Sequence, residues 1–414
     1  MRLRTLVIAL LATTAPAFAI ADPAEDRIAE VMAVARNGDF GVAAARLDAF
    51  GRSGGPGVAF AAAEAWMEGL PEAGPVRRPR PERALPLYKL VAGAPGDDQG
   101  NALFRLSELL SSPDEKQAAL RQAAIVGYSR ALRALSRKIV DATAPHLQVP
   151  PQAILLLEMA SARQDFEAMI DHAALIKANR AKGDEDALAA RAIAGLTAEA
   201  DGGKASAMSD LAKIFEQGLV VPRDPEAAAT WRRRAADAGH YGATMDLADE
   251  ALGASPPDTA TAVAIFRRLA EAGSADAALK IAEMRYERDA AEVTVEEADL
   301  WLDRAVAVEH VKALIFKARK VSDKKRAAAL LAKAEAGWDG SANQALALAD
   351  AFDMQGWAGF NSEKALLWYE RAAADGGMRA FSKLGAHKLA KALTPAQVEE
   401  ALADVQRAAD MGSV

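Results

Sequence analysis

The chain of 414 residues contains no cysteine. That excludes disulfide staples and thiolate metal sites. Histidine is scarce: His146, His172, His240, His310 and His387 are the full set, and no two are four positions apart. Such spacing offers no helical metal pair, and no metal or cofactor site is expected. Aromatic residues make up only 6% of the chain. Strand-type alternation of β-branched and polar residues is almost absent, which argues against a sheet protein. No stretch reaches the ~20 apolar residues of a membrane helix. Nor is there an excess of positive charge: 50 Lys and Arg stand against 57 Asp and Glu, a formal net charge of −7. That balance is poorly suited to nucleic acid.

What remains is an alanine-rich sequence, 51% hydrophobic. Alanine is the best helix former and lets helices approach closely, so the composition is all-α. The N-terminus reads as a secretory signal peptide, residues 1–21. Arg2 and Arg4 are followed by the apolar run Leu6–Ala12 and the small residues around Ala17–Ala21. Cleavage is expected after Ala21, alternatively after Ala19. No cysteine follows, so a lipoprotein is not expected. The mature chain is expected in the periplasm or secreted, without membrane insertion and stable through its core alone.

Two phrases recur. Trp231 is followed by Ala235, Ala236 and Gly239; Trp368 is followed by Ala372, Ala373 and Gly376. Weaker copies give anchors at Tyr88, Leu120, Leu157, Leu196, Trp231, Phe266, Trp301, Leu330, Trp368 and Val405, spaced 29 to 39 residues apart. A helical period near 35 is the mark of a helix-turn-helix solenoid. A further unit at Asp26–Arg52 brings the total to about eleven. Each unit has a readable grammar. In residues 205–239 the first helix ends at Gly218, and Asp224, Pro225 and Glu226 start the second. Ser112–Glu115, Thr294–Glu297 and Thr394–Gln397 fit the capping box. The anchors, with Trp66, are expected in the core, and Gly239 and Gly376 in left-handed turns between units.

Ala207, Leu211, Phe215, Gly218, Asp224, Ala228, Trp231, Ala235, Ala236 and Gly239 form a pattern that resembles the Sel-1-like repeat, a relative of the tetratricopeptide repeat. Leu348, Phe352, Gly356, Ala365, Trp368, Ala372, Ala373 and Gly376 give a second copy. The resemblance implies an α-solenoid, a right-handed superhelix, that binds other proteins. Exported members resemble periplasmic scaffolds of exopolysaccharide secretion, such as alginate export, or periplasmic inhibitors of envelope sensor kinases. The expected organisation is an N-terminal hairpin and Gly-rich turn at 22–58, repeats at 59–127, degenerate repeats at 128–204, and repeats with a C-terminal cap at 205–414. In the cap helix, Val398, Ala401, Leu402, Val405, Ala408 and Ala409 share one arc.

No catalytic residues emerge from spacing. Gly51–Gly55 matches G-x-S-x-G, but an Ala-rich helical segment precedes it where a nucleophile elbow needs a strand. His240 and His310 sit at corresponding inter-unit turns. The basic clusters at Val76–Arg80, Arg232–Arg234 and Lys324–Arg326 read as solvated faces or as contacts for an acidic partner or anionic polysaccharide. Residues 76–83 form an insertion between helices, so Arg77, Arg78 and Arg80 are candidate partner contacts. Trp338 and Trp357 lie off the anchor phase and are candidate binding aromatics. The expected function is a protein-binding scaffold or regulator among envelope proteins, not an enzyme. A polysaccharide-binding or polysaccharide-processing protein is the alternative.

Overall fold

The structure, a computed structural model, describes residues 23–354, 357, 359–374 and 378–410. The expected signal peptide and the turn glycine Gly376 lie outside them. Among the described residues there are 22 helices and one two-stranded sheet. The helices pair as eleven antiparallel hairpins, as the repeat period implies. The first three are α1 (Pro23–Arg36) with α2 (Phe40–Ser53), α3 (Pro56–Glu68) with α4 (Pro81–Ala92), and α5 (Gln99–Leu109) with α6 (Pro113–Ile125). Next come α7 (Ser129–Asp141) with α8 (Pro151–Ser161), α9 (Phe166–Lys177) with α10 (Glu185–Asp201), and α11 (Ala205–Gln217) with α12 (Pro225–Asp237). Then follow α13 (Tyr241–Gly253) with α14 (Thr259–Glu271), α15 (Ala275–Arg288) with α16 (Val295–Ala307), and α17 (Val311–Lys320) with α18 (Lys324–Ala336). The last two are α19 (Ala342–Asp353) with α20 (Ser362–Ala374), and α21 (Met378–Leu389) with α22 (Pro395–Asp410). The segment 128–204, irregular in sequence, folds as two hairpins like the rest.

The ten anchors all fall on the even helices from α4 to α22. Tyr88 and Phe266 are fully buried, and Leu120, Leu157, Leu196, Trp301 and Trp368 nearly so. Each sits where the second helix of a unit meets its neighbours, since no unit covers its own apolar face. Three anchors depart from the expectation, Leu330 among them, which is only partly buried. Trp231 is only half-buried, with the Arg234 guanidinium 4.2 Å from its ring centroid. Val405 is 38% exposed and Leu402 49%. In α22 the buried positions are Ala401, Asp404 and Ala408, so the helix is rolled away from the expected arc. The Lys388 ammonium reaches Asp404 at 3.0 Å and Glu400 at 2.7 Å, on the edge of α22 that faces α21.

Caps set the boundaries. Asp165, Asp184, Asp224, Asp258, Thr294 and Asp323 each accept a backbone amide three residues on. At the inter-unit turn the chain takes a left-handed residue, and the next amide reaches back five residues: His240 N to Ala235 O at 2.8 Å, Ser274 N to Leu269 O at 3.0 Å, His310 N to Ala305 O at 3.1 Å. This is the Schellman closure. Gly239 and Gly273 supply the positive φ in two of these turns; Glu309 holds φ 58° in the third. A non-glycine residue there costs ~1–2 kcal/mol, so the turn geometry persists where the sequence signal for it is lost.

The segment read as an insertion at 76–83 is not a free loop. β1 (Leu70–Ala73) and β2 (Val76–Arg78) pair antiparallel across Gly74. The hairpin projects from the second unit and docks on helices nearly 200 residues later. Val76 is fully buried in the core formed by residues of α13 to α17. The Arg77 amide donates to Gly273 O at 2.9 Å. Arg78 pairs with Glu309, and the Arg304 side chain lies against Gly74. One turn of the solenoid is therefore tied to the next.

Candidate binding surfaces

Odd helices of successive units approach one another closely, as α15, α17 and α19 do. That places the odd helices on the inner side of the curve. Charged pairs run along this face from unit to unit. Glu64 on α3 takes a bidentate Arg105 from α5 at 2.9 and 3.0 Å. Arg133 and Arg137 on α7 face Asp165, Glu167 and Asp171 at α9. His310 donates from Nε2 to Asp276 at 3.3 Å, and Lys383 meets Asp350 at 3.2 Å. Burial tunes several of these groups. The Tyr88 phenol, buried and donating to Glu64 at 2.5 Å, is pushed far up. The Asp171 carboxyl is raised by burial despite Arg137. The hydrogen bond from His310 holds Asp276 below the usual carboxylate range.

Two cavities open between these helices. One of about 260 Å³ lies where α7, α9 and α11 begin, lined by Arg130, Arg133, Glu167, Lys204 and Asp210 among others. The second, about 270 Å³, lies between α15, α17 and α19, with Glu283, Lys312, Arg319 and Asp350 at its walls. Both are polar and of mixed sign, which suits a folded or extended polypeptide better than a small apolar ligand.

The residues singled out from sequence are placed as follows. Arg77 pairs with Glu68 at 3.2 Å and Arg80 with Glu72 at 2.6 Å, while Arg78 takes Glu309. Arg78 reaches the later turn with its side chain and Arg77 with its backbone amide, while Arg80 holds the hairpin to its own unit. Trp338 stands edge-on to Trp368 at 5.1 Å between centroids and donates from Nε1 to Ser341 O at 2.9 Å. Trp357 folds back onto the same core, and its buried Nε1 has no partner among the described residues. Gly51 and Ser53 belong to the last turn of α2, where Ser53 Oγ donates to Ala49 O, so there is no elbow. His240 and His310 are N-caps, accepting at Nδ1 from Ala243 and Ala313. Among the described residues no group of His, Asp and Glu could hold a metal ion, and no helix is long and apolar enough to cross a membrane.

One constellation was invisible in the sequence. Asp353 at the end of α19, Ser362 at the start of α20 and His387 on α21 converge, although 9 to 34 residues separate them. Asp353 Oδ1 lies 2.9 Å from His387 Nδ1, and His387 Nε2 lies 3.4 Å from Ser362 Oγ. Only the period, which puts consecutive unit boundaries side by side, could have hinted at it.

Comparison with known proteins identifies the repeats. The Sel1 repeat family model matches residues 205–240, 243–274 and 358–377. These stretches lie on hairpins α11–α12, α13–α14 and α20. No curated protein matches the chain. Among solved structures it is similar to a Sel1 repeat protein from Oxalobacter formigenes, at 22% identity and TM-score 0.41, covering 75% of this chain and 90% of that one. It is also similar to a protective antigen with an SLR fold from uropathogenic Escherichia coli strains, at 20% identity and TM-score 0.34, covering 79% and 72%. Yeast Tom70 matches at 13% identity and TM-score 0.37, covering 80% and 81%.

Proposed function

We propose that this Sel1 repeat protein is an exported scaffold or regulator that binds other proteins of the cell envelope along the inner face of its solenoid. The observation that carries the reading is the odd-helix face, with its inter-unit charged pairs and two cavities of mixed charge. An array of this kind buries its core between units and leaves one long surface for a partner. Export rests on the signal-peptide pattern at 1–21. Two envelope roles fit such a surface: a scaffold for exopolysaccharide secretion of the alginate type, and an inhibitor of a sensor kinase. Anionic polysaccharide is a second ligand class, for which the exposed Lys324–Arg326 cluster is the candidate contact.

Photo-crosslinking in living cells tests this. A photoreactive residue at Arg130 or Lys312, which line the cavities, should capture an envelope protein. One at Leu300 or Leu367, exposed on even helices, should not. A secretion component would support the scaffold, and a sensor kinase the regulator. Equal capture of one partner from the even-helix positions would refute the inner-face assignment. Mass spectrometry of the recovered protein should find Asp22 at its N-terminus; a chain retaining Met1 in the cytoplasm would remove the export reading.

A further inference from the structure

We propose that Asp353, His387 and Ser362 form a hydrolytic site for short-chain carboxylic esters. The three residues occupy the roles that acyl transfer requires. His387 is nearly fully buried, its side chain 3% exposed, so its ring is held by its neighbours. Nδ1–H donates to Asp353 at 2.9 Å, which fixes the tautomer and leaves the Nε2 lone pair facing the Ser362 hydroxyl at 3.4 Å. A nucleophile–base separation of that size is usual for an unliganded site and shortens with substrate. The far side of the network is also held. Tyr369 donates to Asp350 at 2.8 Å, lies 3.4 Å from Asp353, and places its ring 5.5 Å from the imidazole.

The backbone supplies the remaining element. Asn361 caps α20, taking the Lys364 amide on its side chain and the Ala365 amide on its carbonyl. The amides of Ser362 and Glu363 belong to the first turn and have no acceptor within the helix. These two amides would serve as the oxyanion donors, and the helix N-terminus favours negative charge there. A cavity of about 360 Å³ opens beside Ser362 and His387, with Leu366 and Ala392 as its apolar wall and Lys391 and Glu400 at its rim. That wall suits a short acyl chain; the polar rim suits the alcohol half.

The chemistry balances with water alone. Ser362 Oγ bonds to the acyl carbon as its proton passes to His387 Nε2. The tetrahedral intermediate collapses, the bond to the alcohol oxygen breaks, and His387 returns the proton to that oxygen. Water then repeats the sequence on the acyl-serine, giving the free acid and restoring the hydroxyl.

The test uses the full mature chain with a fluorophosphonate probe and p-nitrophenyl acetate. The expected result is covalent labelling confined to Ser362, with ester hydrolysis above the buffer rate. Ser362→Ala, at a helix start, should keep the wild-type circular dichroism and melting curve yet lose both labelling and hydrolysis. Asp353→Asn should retain Ser362 and reduce the labelling rate at least tenfold. If the wild-type chain takes no probe, or Ser362→Ala is labelled and hydrolyses like wild type, the site is not catalytic and His387 only ties α19, α20 and α21 together.

Discussion

Val76→Asp should release the β-hairpin from the later turn of the solenoid without unfolding the array. Val76 is fully buried among residues of α13 to α17, and burying a valine side chain is worth ~1.5–3 kcal/mol. The Arg77 amide bond to Gly273 O adds ~1 kcal/mol. The Arg78–Glu309 pair, about a third exposed on each side, adds no more than ~1 kcal/mol after solvent screening. Docking is thus worth ~3–5 kcal/mol relative to the same hairpin held free on its own unit. An aspartate at 76 cannot enter that core without a partner, so the docked state is lost. The hairpins themselves persist, because each is held by its immediate neighbours. Hydrogen exchange read by mass spectrometry checks this. Protection of the Arg77 amide should fall by roughly a hundredfold or more, since each 1.4 kcal/mol is tenfold. Small-angle scattering should show a larger radius of gyration, and circular dichroism should show unchanged helix content. Wild-type protection at Arg77 with wild-type scattering would refute the assignment of the hairpin as a clasp.

Further outcomes follow from burial and charge. Phe266→Ala should cost ~3–5 kcal/mol in denaturant unfolding, because the ring is fully buried. Trp231→Ala should cost less, ~1–3 kcal/mol, since the ring is half-exposed beneath Arg234; equal losses would show that anchor phase outweighs burial. Asp276→Asn should flatten the acid limb of stability. The Asp276 carboxyl is held below its ordinary value by His310, so its contribution is present above the unfolded value and is lost as pH falls through the depressed folded one. The difference between wild type and variant should therefore shrink as pH drops below ~4, and a difference constant with pH would contradict the pairing.

The repeat was legible because it is a local property restated many times. Ten anchors on ten even helices, and caps such as Asp224 and Thr294, follow from periodicity and short-range hydrogen bonding. Glu309, where the repeat phase places glycine, still takes the left-handed turn. The illegible features depend on distant partners. A three-residue strand, Val76–Arg78, carries too short a pattern to be recognised, and its docking site begins at α14, far along the chain. Arg77, Arg78 and Arg80 looked like a free basic patch because only the hairpin brings Glu68 and Glu72 against them and Glu309 lies far along the chain. The Asp353–His387–Ser362 convergence depends on three helices meeting at one end. The Lys388 pairing with Asp404 and Glu400 joins α21 to α22, which the apolar arc alone could not reveal.

The clasp alters what a solenoid of this size can do. In an open array each unit touches only its neighbours, so a perturbation decays along the chain. Here the second unit also touches the α14–α16 region, which makes the second to eighth hairpins a closed circuit. Joining elements so far apart costs chain entropy that grows only with the logarithm of loop length. The intervening hairpins are already ordered, so most of that cost is met by the stack itself. The hairpin therefore needs only one buried valine, one backbone hydrogen bond and one ion pair to hold the turn. Curvature of the inner face in the second to eighth units is set by this contact as well as by repeat geometry. The last three hairpins, α17 to α22, lie beyond the circuit and keep the freedom of an open array. The two cavities reflect the difference: the one at α7, α9 and α11 sits within the closed part, and the one between α15, α17 and α19 spans its edge.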